Sequence, residues 1–397
     1  MSHPAHWKLE LAVRGARLDP SAARLGAGDT ARPLEVVLPD AVRVDVPIDE
    51  HHTAGSPFVL LANGRRHFLV RRDADGAESA PVEVRPVPRP AFYERRTSRG
   101  TPMARVATVR GSHLLVCPST ACGFSVQGTP CRFCVEGARL PADREAVSVA
   151  DVLEVVRAAF DEGACELVYF NTSHYESEDG GIAFLAPYIE AVRRHFDTLI
   201  AAQVHPPRTP GWVDQTYALG VDALSYNLEI FDPDVLSRHC IGRARYIGRE
   251  RYLEALAHAA KVFPSGTVWT DLVLGLEPAD STIAGIDALV EMGVVPVATI
   301  LRGEYPVPAA AEVVPVLAHL YRAVRHRGIN MGWVRDLALG ITPLEARHFA
   351  GDGARLAVSV QRLTRSRLGA LAARGLAHFR RRLRVRKVSE SFDAAHL

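Results

Sequence analysis

The stretch "SVADVLEVVRAAFDEG" (148–163) followed by "ELVYFNT" (166–172) decides the fold, because a longer amphipathic run gives way to a short apolar one. The same pairing recurs on both sides. Strand-like runs stand at 113–117 ("HLLVC"), 198–204 ("TLIAAQV"), 222–230 ("DALSYNLEI"), 267–276 ("TVWTDLVLGL") and 294–301 ("VVPVATIL"). Helix-like runs fill the gaps at 181–196, 212–220, 249–263, 282–293 and 309–328. Such alternation predicts βα units on a parallel sheet. Six units are too few for a closed eight-fold barrel and enough for an open one. The expected fold is therefore α/β, a partial (β/α)6 TIM-type barrel. The near-continuous apolar character of the strands predicts burial on both faces. Gly163, Gly220 and Gly293, each just after a helix-like run, are expected as helix C′ caps.

Outward from this core the pattern changes. Up to about Pro90 the runs are short and β-like, "LEVVLPDAVRVDVPI" (34–48) and "SPFVLLANGRRHFLVRR" (56–72), the latter with an Asn63-Gly64 turn signal. Residues 81–90, "PVEVRPVPRP", hold too many prolines for a helix or a central strand, so the boundary is placed there. The expected organisation is a β-rich lobe over 1–90, the barrel over 91–330 and a helical extension over 331–397. Within the extension, Arg380 to Lys387 is a basic run of the kind that forms a solvated helix face or tail.

Composition narrows the function classes. Of 397 residues, 48% are hydrophobic and 23% charged, enough apolar content for one large core with a smaller appendage. Lys and Arg number 47 against 45 Asp and Glu, and a net charge of +2 gives no electrostatic case for nucleic-acid binding. No run of about 18 apolar residues occurs, and His3, His6 and Lys8 interrupt the start where a signal core would lie. The expectation is a cytoplasmic protein with neither membrane nor nucleic-acid partners. Six cysteines do not make a disulfide scaffold, yet four of them fall between Cys117 and Cys134.

That cluster, "VCPSTACGFSVQGTPCRFCVEGARL" (116–140), follows the first barrel strand, where the loops of such sheets form the ligand crevice. Cys131 and Cys134 have the two-residue gap with which two thiolates grip one metal centre. Cys122 lies upstream, across a Gly/Ser/Pro-containing loop able to fold back and supply a third. Three thiolates on a four-iron cluster leave one iron open to bind and activate a substrate. A structural zinc ion would want four closed ligands, with Cys117 as the fourth, and would make a non-catalytic binding barrel.

With these residues in place, the chain resembles radical S-adenosylmethionine (SAM) enzymes over about 105–330. Their usual loop is C-x3-C-x2-C with an aromatic before the third cysteine. Here the spacing is C-x8-C-x2-C, with Phe133 in the aromatic place. Cys122 is preferred over Cys117 because Cys117 still belongs to the apolar strand. The segment 226–256, "YNLEIFDPDVLSRHCIGRARYIGRERYLEAL", is similar to a biotin synthase stretch; by that match Asn227 and Glu229 hold the ribose and amino-acid portions of SAM, and Arg245 faces its carboxylate. "DLVLGLE" (271–277) resembles a family strand in which Gly275 lets adenine approach the backbone. Where the family usually has Gly-Gly-Glu this chain has "FNTSHYESEDGG" (170–181), making Asn171, Thr172 and Ser173 candidates by position. Gln203, His205 and Arg302 stand at strand ends as candidate substrate contacts. The front lobe, with "RLGAGDTARPLEVVLPD" (24–40) and "VPRPAFYERRTSRGTP" (87–102), resembles biotin-synthase-like radical SAM proteins of bacterial nitrilase gene clusters.

The resemblance implies a [4Fe-4S] cluster and SAM as cofactors, a flavodoxin or ferredoxin as electron donor, and reductive cleavage of SAM to a 5′-deoxyadenosyl radical that abstracts hydrogen from a small molecule. The front or C-terminal lobe is expected to close the barrel against water and oxygen. Three spare cysteines, Cys117, Cys165 and Cys240, allow a second reading: sulfur insertion, or sulfur-for-oxygen exchange, from an auxiliary Fe-S cluster. Cys165, six residues before Asn171, sits about 20 Å down an extended strand, which makes an inert buried thiol of it. Cys240 is the better placed, as a substrate contact or hydrogen-atom donor.

Overall fold

The computed structural model describes residues 4–26, 33–48, 53–73, 76–119, 122–134, 146–172, 177–301, 310–334 and 340–351, with Tyr305, Pro308 and Leu337. Ser173, Arg302 and the basic run 380–387 lie outside the described residues. Two sheets organise the chain. The first has six strands: β1 (Arg17–Leu18), β2 (Leu34–Val37), β3 (Arg43–Val46), β4 (Phe58–Asn63), β5 (Arg66–Arg71) and β6 (Val82–Pro86), in the order β1-β4-β5-β6-β2-β3. Asn63 pairs with Arg66, so Gly64 and Arg65 close the β4–β5 hairpin, and Gly64 takes the left-handed φ of 62° that such tight turns ask for. One face of this sheet buries Val36, Val44, Phe58, Leu60, Leu69 and Val84 against Leu11 of the helix Pro4–Arg14.

The second sheet has eight strands in sequence order: β7 (Ala107–Arg110), β8 (His113–Val116), β9 (Leu167–Asn171), β10 (Leu199–Gln203), β11 (Ala223–Ser225), β12 (Val268–Leu274), β13 (Val295–Ile300) and β14 (Gly340–Ile341). Strands β8 to β13 all run parallel to one another. This unbroken order, with helices between, is the curled half-barrel of a partial TIM-type fold. Antiparallel β7 and β14 add the two edges, which the alternating pattern did not reveal because β7 meets β8 through a tight turn and β14, past the helix Ala310–Arg327, is only two residues long.

Local chemistry sets these elements. The helix Val149–Asp161 starts at Ser148, whose hydroxyl accepts the Asp151 N–H, and it buries Val152, Val155, Val156 and Ala159 on one stripe. Gly163, Gly220 and Gly293 all adopt positive φ just past helices, at 64°, 108° and 86°. Register brings Asn171, Gln203 and Ser225 side by side at the carboxyl rim of the sheet.

The six-stranded sheet docks at the opposite rim. Glu35 accepts the N–H of Gly111, in the β7–β8 turn, at 2.9 Å, and Arg110 pairs with the buried Asp45 at 2.7 Å. A cavity of about 870 Å3 separates the two bodies there, bordered by Glu35, Arg43, Asp45, Arg110, Cys165 and Glu166. These contacts close the barrel floor rather than its mouth, so they do not supply the cover expected of the front lobe. No helix among the described residues is long and apolar enough to cross a membrane.

The amino-terminal helix is tied to the far end of the chain. Lys8, 1% exposed, bonds the Leu337 carbonyl at 2.6 Å and Glu345 at 2.8 Å. Glu345 also closes a capping box with Thr342. Replacing Lys8 by Ala strands a desolvated carboxylate and should lower the unfolding free energy by about 3 kcal/mol, read from the urea midpoint. An unchanged midpoint would show that this pair does not anchor the helix.

Candidate active site at the carboxyl rim of the barrel

The cysteine loop is built as a clip. Cys122 begins a single helical turn, Gly123–Val126, its carbonyl accepting the Val126 N–H at 3.0 Å. Phe124 from this turn is buried, edge-on to His205 with ring centres 5.5 Å apart. The chain then bends at Gly128 and forms the turn Cys131–Cys134, in which the Cys134 N–H reaches the Cys131 carbonyl at 3.1 Å.

This clip docks on the junction between the helices Pro233–His239 and Ile241–Tyr246. The Arg132 N–H donates to the His239 carbonyl at 2.9 Å, the Gly242 N–H to the Thr129 carbonyl at 3.2 Å, and Cys131 pairs with Cys240 in an isolated antiparallel bridge. Gly242 is required by the close approach: a Cβ there would stand 2.4 Å from the Phe124 ring and 2.7 Å from the Thr129 carbonyl. Upstream, Asp232 caps the helix Pro233–His239. Glu277 accepts from the backbone of Phe231 and Asp232, at 2.7 Å from the latter, fixing where that helix begins. Cys131, Cys240, Ile230, Val235 and Leu236 form a buried nest against which Phe133, Cys134, Ala244 and Leu276 pack.

Beside the nest lies a buried polar set. Ser225 donates to Asn227 Oδ1 at 2.5 Å, and Asn227 Nδ2 donates to Asp271 at 2.8 Å. Arg243 donates to the Asn227 carbonyl and sits 3.4 Å from Glu229. Glu229 holds φ at 70°, a left-handed conformation for a residue with a side chain. Backbone bonds to Asp271 and Val273 of β12 clamp it there, an arrangement typical of residues aimed at a site. Burial raises the proton affinity of Glu229, while Arg243 opposes the rise. Burial, and then the neighbouring Glu229 charge, lift Asp271 from the ordinary 3.8 to about 7. The Cys131 thiolate, accepting from Cys240 and facing Arg243, lies well below the usual thiol range, and Cys240 is raised in consequence.

Further round the rim, Gln203 Oε1 accepts from the Tyr169 hydroxyl at 2.6 Å and from Asn171 Nδ2 at 3.0 Å. Thr172 is buried, its N–H on the Gln203 carbonyl at 3.2 Å. His205 Nδ1 lies 3.3 Å from the Tyr252 hydroxyl. The sequence candidates Asn171, Thr172, Gln203, His205, Asn227, Glu229, Cys131, Phe133, Cys134 and Cys240 are thus gathered at one rim.

Others are placed differently. Arg245 is exposed, its guanidinium over the Tyr246 ring at 5.4 Å, and the arginine turned inward, toward Glu229, is the half-buried Arg243. Two residues along a helix turn about 200°, so these two arginines point to opposite sides. Gly275 has φ of 89°, and a Cβ there would meet the Pro308 ring at 3.0 Å. Cys122 is half-buried and outside the nest. Cys117 follows β8, its thiol on the Ser119 carbonyl at 3.0 Å. Cys165 precedes β9 at the floor, pushed up to about 12 by burial, and about 20 Å of strand separates its level from that of Cys117. Cys117 and Cys165 therefore stand too far apart along the barrel to share one centre. Asp271, Tyr169, Arg243 and Tyr252 went unread; the one available signal was Asp271, a charge inside an otherwise apolar strand.

The residues fit an iron–sulfur group by two observations. The donors at the turn are thiols, and the positive Arg243 beside Cys131 favours its thiolate form. Five buried side-chain polar atoms lack a partner among the described residues, and four of these, Ser125 Oγ, Gln127 Oε1, His239 Nδ1 and Arg243 Nε, lie on the cysteine loop or the junction it docks on. Among the described residues no three His, Cys, Asp or Glu side chains converge as donors of a single ion must. A four-iron cube asks less, since each thiolate holds a different corner.

No family model matches the chain. It is 26% identical over 212 residues to a bacteriochlorophyllide c C-7(1)-hydroxylase of Chlorobaculum limnaeum, covering 48% of this chain. The chain thus spans about half, 52%, of the length of that curated relative. Among solved structures it is similar to the FeFe-hydrogenase maturase HydG from Carboxydothermus hydrogenoformans, at TM-score 0.43 and 16% identity over 54% of this chain and 52% of that one. It is also similar to a radical SAM methyltransferase from Sphaerobacter thermophilus, at TM-score 0.39 and 15% identity over 72% and 76%.

The position of Asp271 gives a pH signature. A carboxyl group that binds its proton more tightly in the folded state stabilises the fold while protonated, and that contribution fades as pH rises from about 4 to about 7. Asp271→Asn should therefore make the cluster-free protein more stable than wild type at pH 8, with the gap closing toward pH 4, as followed by urea midpoints. A gap independent of pH would contradict the assignment.

Proposed function

We propose that this chain is a radical SAM enzyme of small-molecule metabolism. It holds a [4Fe-4S] cluster at its cysteine turn, cleaves SAM reductively there and removes hydrogen from an unactivated carbon of a small substrate. The observation that carries the reading is the meeting, at one barrel rim, of the Cys131–Cys134 turn with the buried set Asn227, Glu229, Arg243 and Asp271. Cys122, Cys131 and Cys134 would hold such a cluster, and three thiolates on a four-iron group would leave it able to take SAM. Bound there, cluster and SAM together supply hydrogen-abstracting radical chemistry beyond any side-chain acid or base.

The chain's own residues do the rest. Glu229 and Asn227 accept from ribose hydroxyls, and Arg243, in place of Arg245, presents its fork to a carboxylate. Asp271 keeps Asn227 turned to the site. Tyr169, Asn171 and Gln203 line the crevice toward β9 and β10, with His205 between them and Phe124, and they orient the substrate. Ile230, Phe133 and Leu276 keep water from the thiols. A cytoplasmic flavodoxin or ferredoxin delivers the electron. The name of the hydroxylase relative specifies reaction at a carbon position, which agrees with hydrogen removal from carbon. Sulfur transfer is not favoured, because Cys117 and Cys165 stand apart.

The test is anaerobic reconstitution with iron and sulfide, then reduction in the presence of SAM. The protein should turn brown and release 5′-deoxyadenosine, detected by mass spectrometry. Cluster-loaded protein that forms none would sink the proposal. Glu229→Gln should retain its iron while binding SAM about tenfold more weakly, a loss of about 1.4 kcal/mol.

A further inference from the structure

We infer that the substrate presents a neutral amide, an N–H beside a C=O as in a lactam or a primary carboxamide, to Asn171 and Gln203 at the barrel rim. This rests on the function proposed above and adds to it the chemical class of the substrate. Asn171 and Gln203 stand in register on neighbouring strands, and Ser225 and Trp269 continue the same row across β11 and β12. Strand alternation turns this row to the inside of the half-barrel, since Val168, Phe170, Ile200 and Ala202, at the intervening positions, are fully buried in the core shared with the helices.

The amide of Gln203 is used on one side only. Its Oε1 accepts from the Tyr169 hydroxyl at 2.6 Å and from Asn171 Nδ2 at 3.0 Å, while its NH2 group donates to nothing among the described residues. The Asn171 carbonyl likewise accepts nothing from them. Both residues are only half-buried, and neither free atom is among the buried polar atoms that lack a partner, so both open onto the crevice. What remains is one donor and one acceptor. Turning both amides over preserves the bond between them and merely exchanges the two, so the pair offers one of each in either rotamer. An amide answers both with two separate atoms; a hydroxyl has a single oxygen for the pair, and a carboxylate or phosphate brings acceptors alone.

The surroundings favour a neutral group. Burial, and then the Asp271 and Glu229 charges, push the Tyr169 hydroxyl well above its ordinary range, so it stays protonated and keeps Gln203 oriented. Arg243, the cation described beside this set, already faces Glu229, which leaves an anionic substrate poorly compensated for lost water. The Tyr169 and Trp269 rings, with centres 5.8 Å apart and 51° between their planes, give a flat group an apolar surface next to the two amides.

The test uses cluster-loaded protein with SAM bound and three probes built on one pyridine ring: nicotinamide, nicotinate and 3-pyridylmethanol. Affinities are read by saturation-transfer NMR, which needs no turnover. Nicotinamide should bind about tenfold more tightly than either of the others, and Gln203→Met or Asn171→Ala should each abolish that preference. SAM affinity, unchanged in both variants, checks that the rim stays folded, and either variant suffices should the other fail to hold SAM. Equal affinity for nicotinamide and nicotinate, a preference for the alcohol, no measurable nicotinamide binding, or a preference that survives in both variants overturns the inference. Cluster-loaded wild type that yields no 5′-deoxyadenosine removes the proposed reaction and leaves the probe comparison standing. Protein that forms 5′-deoxyadenosine without the amide preference removes this inference alone.

Discussion

The close backbone contact between the cysteine clip and the junction at residues 239–242 is the constraint on which the site depends. It exists because Gly242 has no side chain: the Phe124 ring and the Thr129 carbonyl occupy the space a Cβ would need. Through this contact a loop following the first parallel strand is held against helices following the fourth. Without it, Cys131 and Cys134 would hang from a glycine-containing loop with no defined relation to Asn227 or Glu229.

The junction is itself positioned by buried carboxylates. Glu277 gathers the backbone N–H groups of Phe231 and Asp232, and Asp232 in turn caps the helix that ends at His239. Glu229, held in a left-handed conformation by two backbone bonds to β12, turns its carboxylate toward Arg243. Buried charges of this kind are tolerated because each has a partner, and the remaining imbalance appears as the raised proton affinity of Asp271. Among the described residues, buried polar atoms without partners concentrate on the clip and its seat, as expected where a group bearing its own charge and acceptors belongs.

The two rims of the barrel divide the labour. The floor carries the six-stranded sheet, the Arg110–Asp45 pair and the inert Cys165; the other rim carries the chemistry. This separation follows from parallel topology, in which all six strands deliver their carboxyl ends to one side. It lets the floor be stabilised without disturbing the mouth.

The parallel half-barrel was legible in the sequence because period and length alternate so regularly, and the candidate cysteines because four fall within eighteen residues. The same text offered Gln203 and His205 as strand-end residues and Asn227 and Glu229 through a family resemblance, and the parallel sheet brings all four to one rim. It favoured Arg245, which the fold leaves exposed, and passed over Arg243, which the fold turns toward Glu229, because identity and spacing do not state which side of a six-residue helix faces inward. It also left the role of Cys240 open. Local propensity and hydrophobic period are carried by neighbouring residues and can be read along the chain. The pairing of Cys131 with Cys240, over a hundred residues apart, is decided only when two loops fold onto each other and one glycine leaves room for the contact.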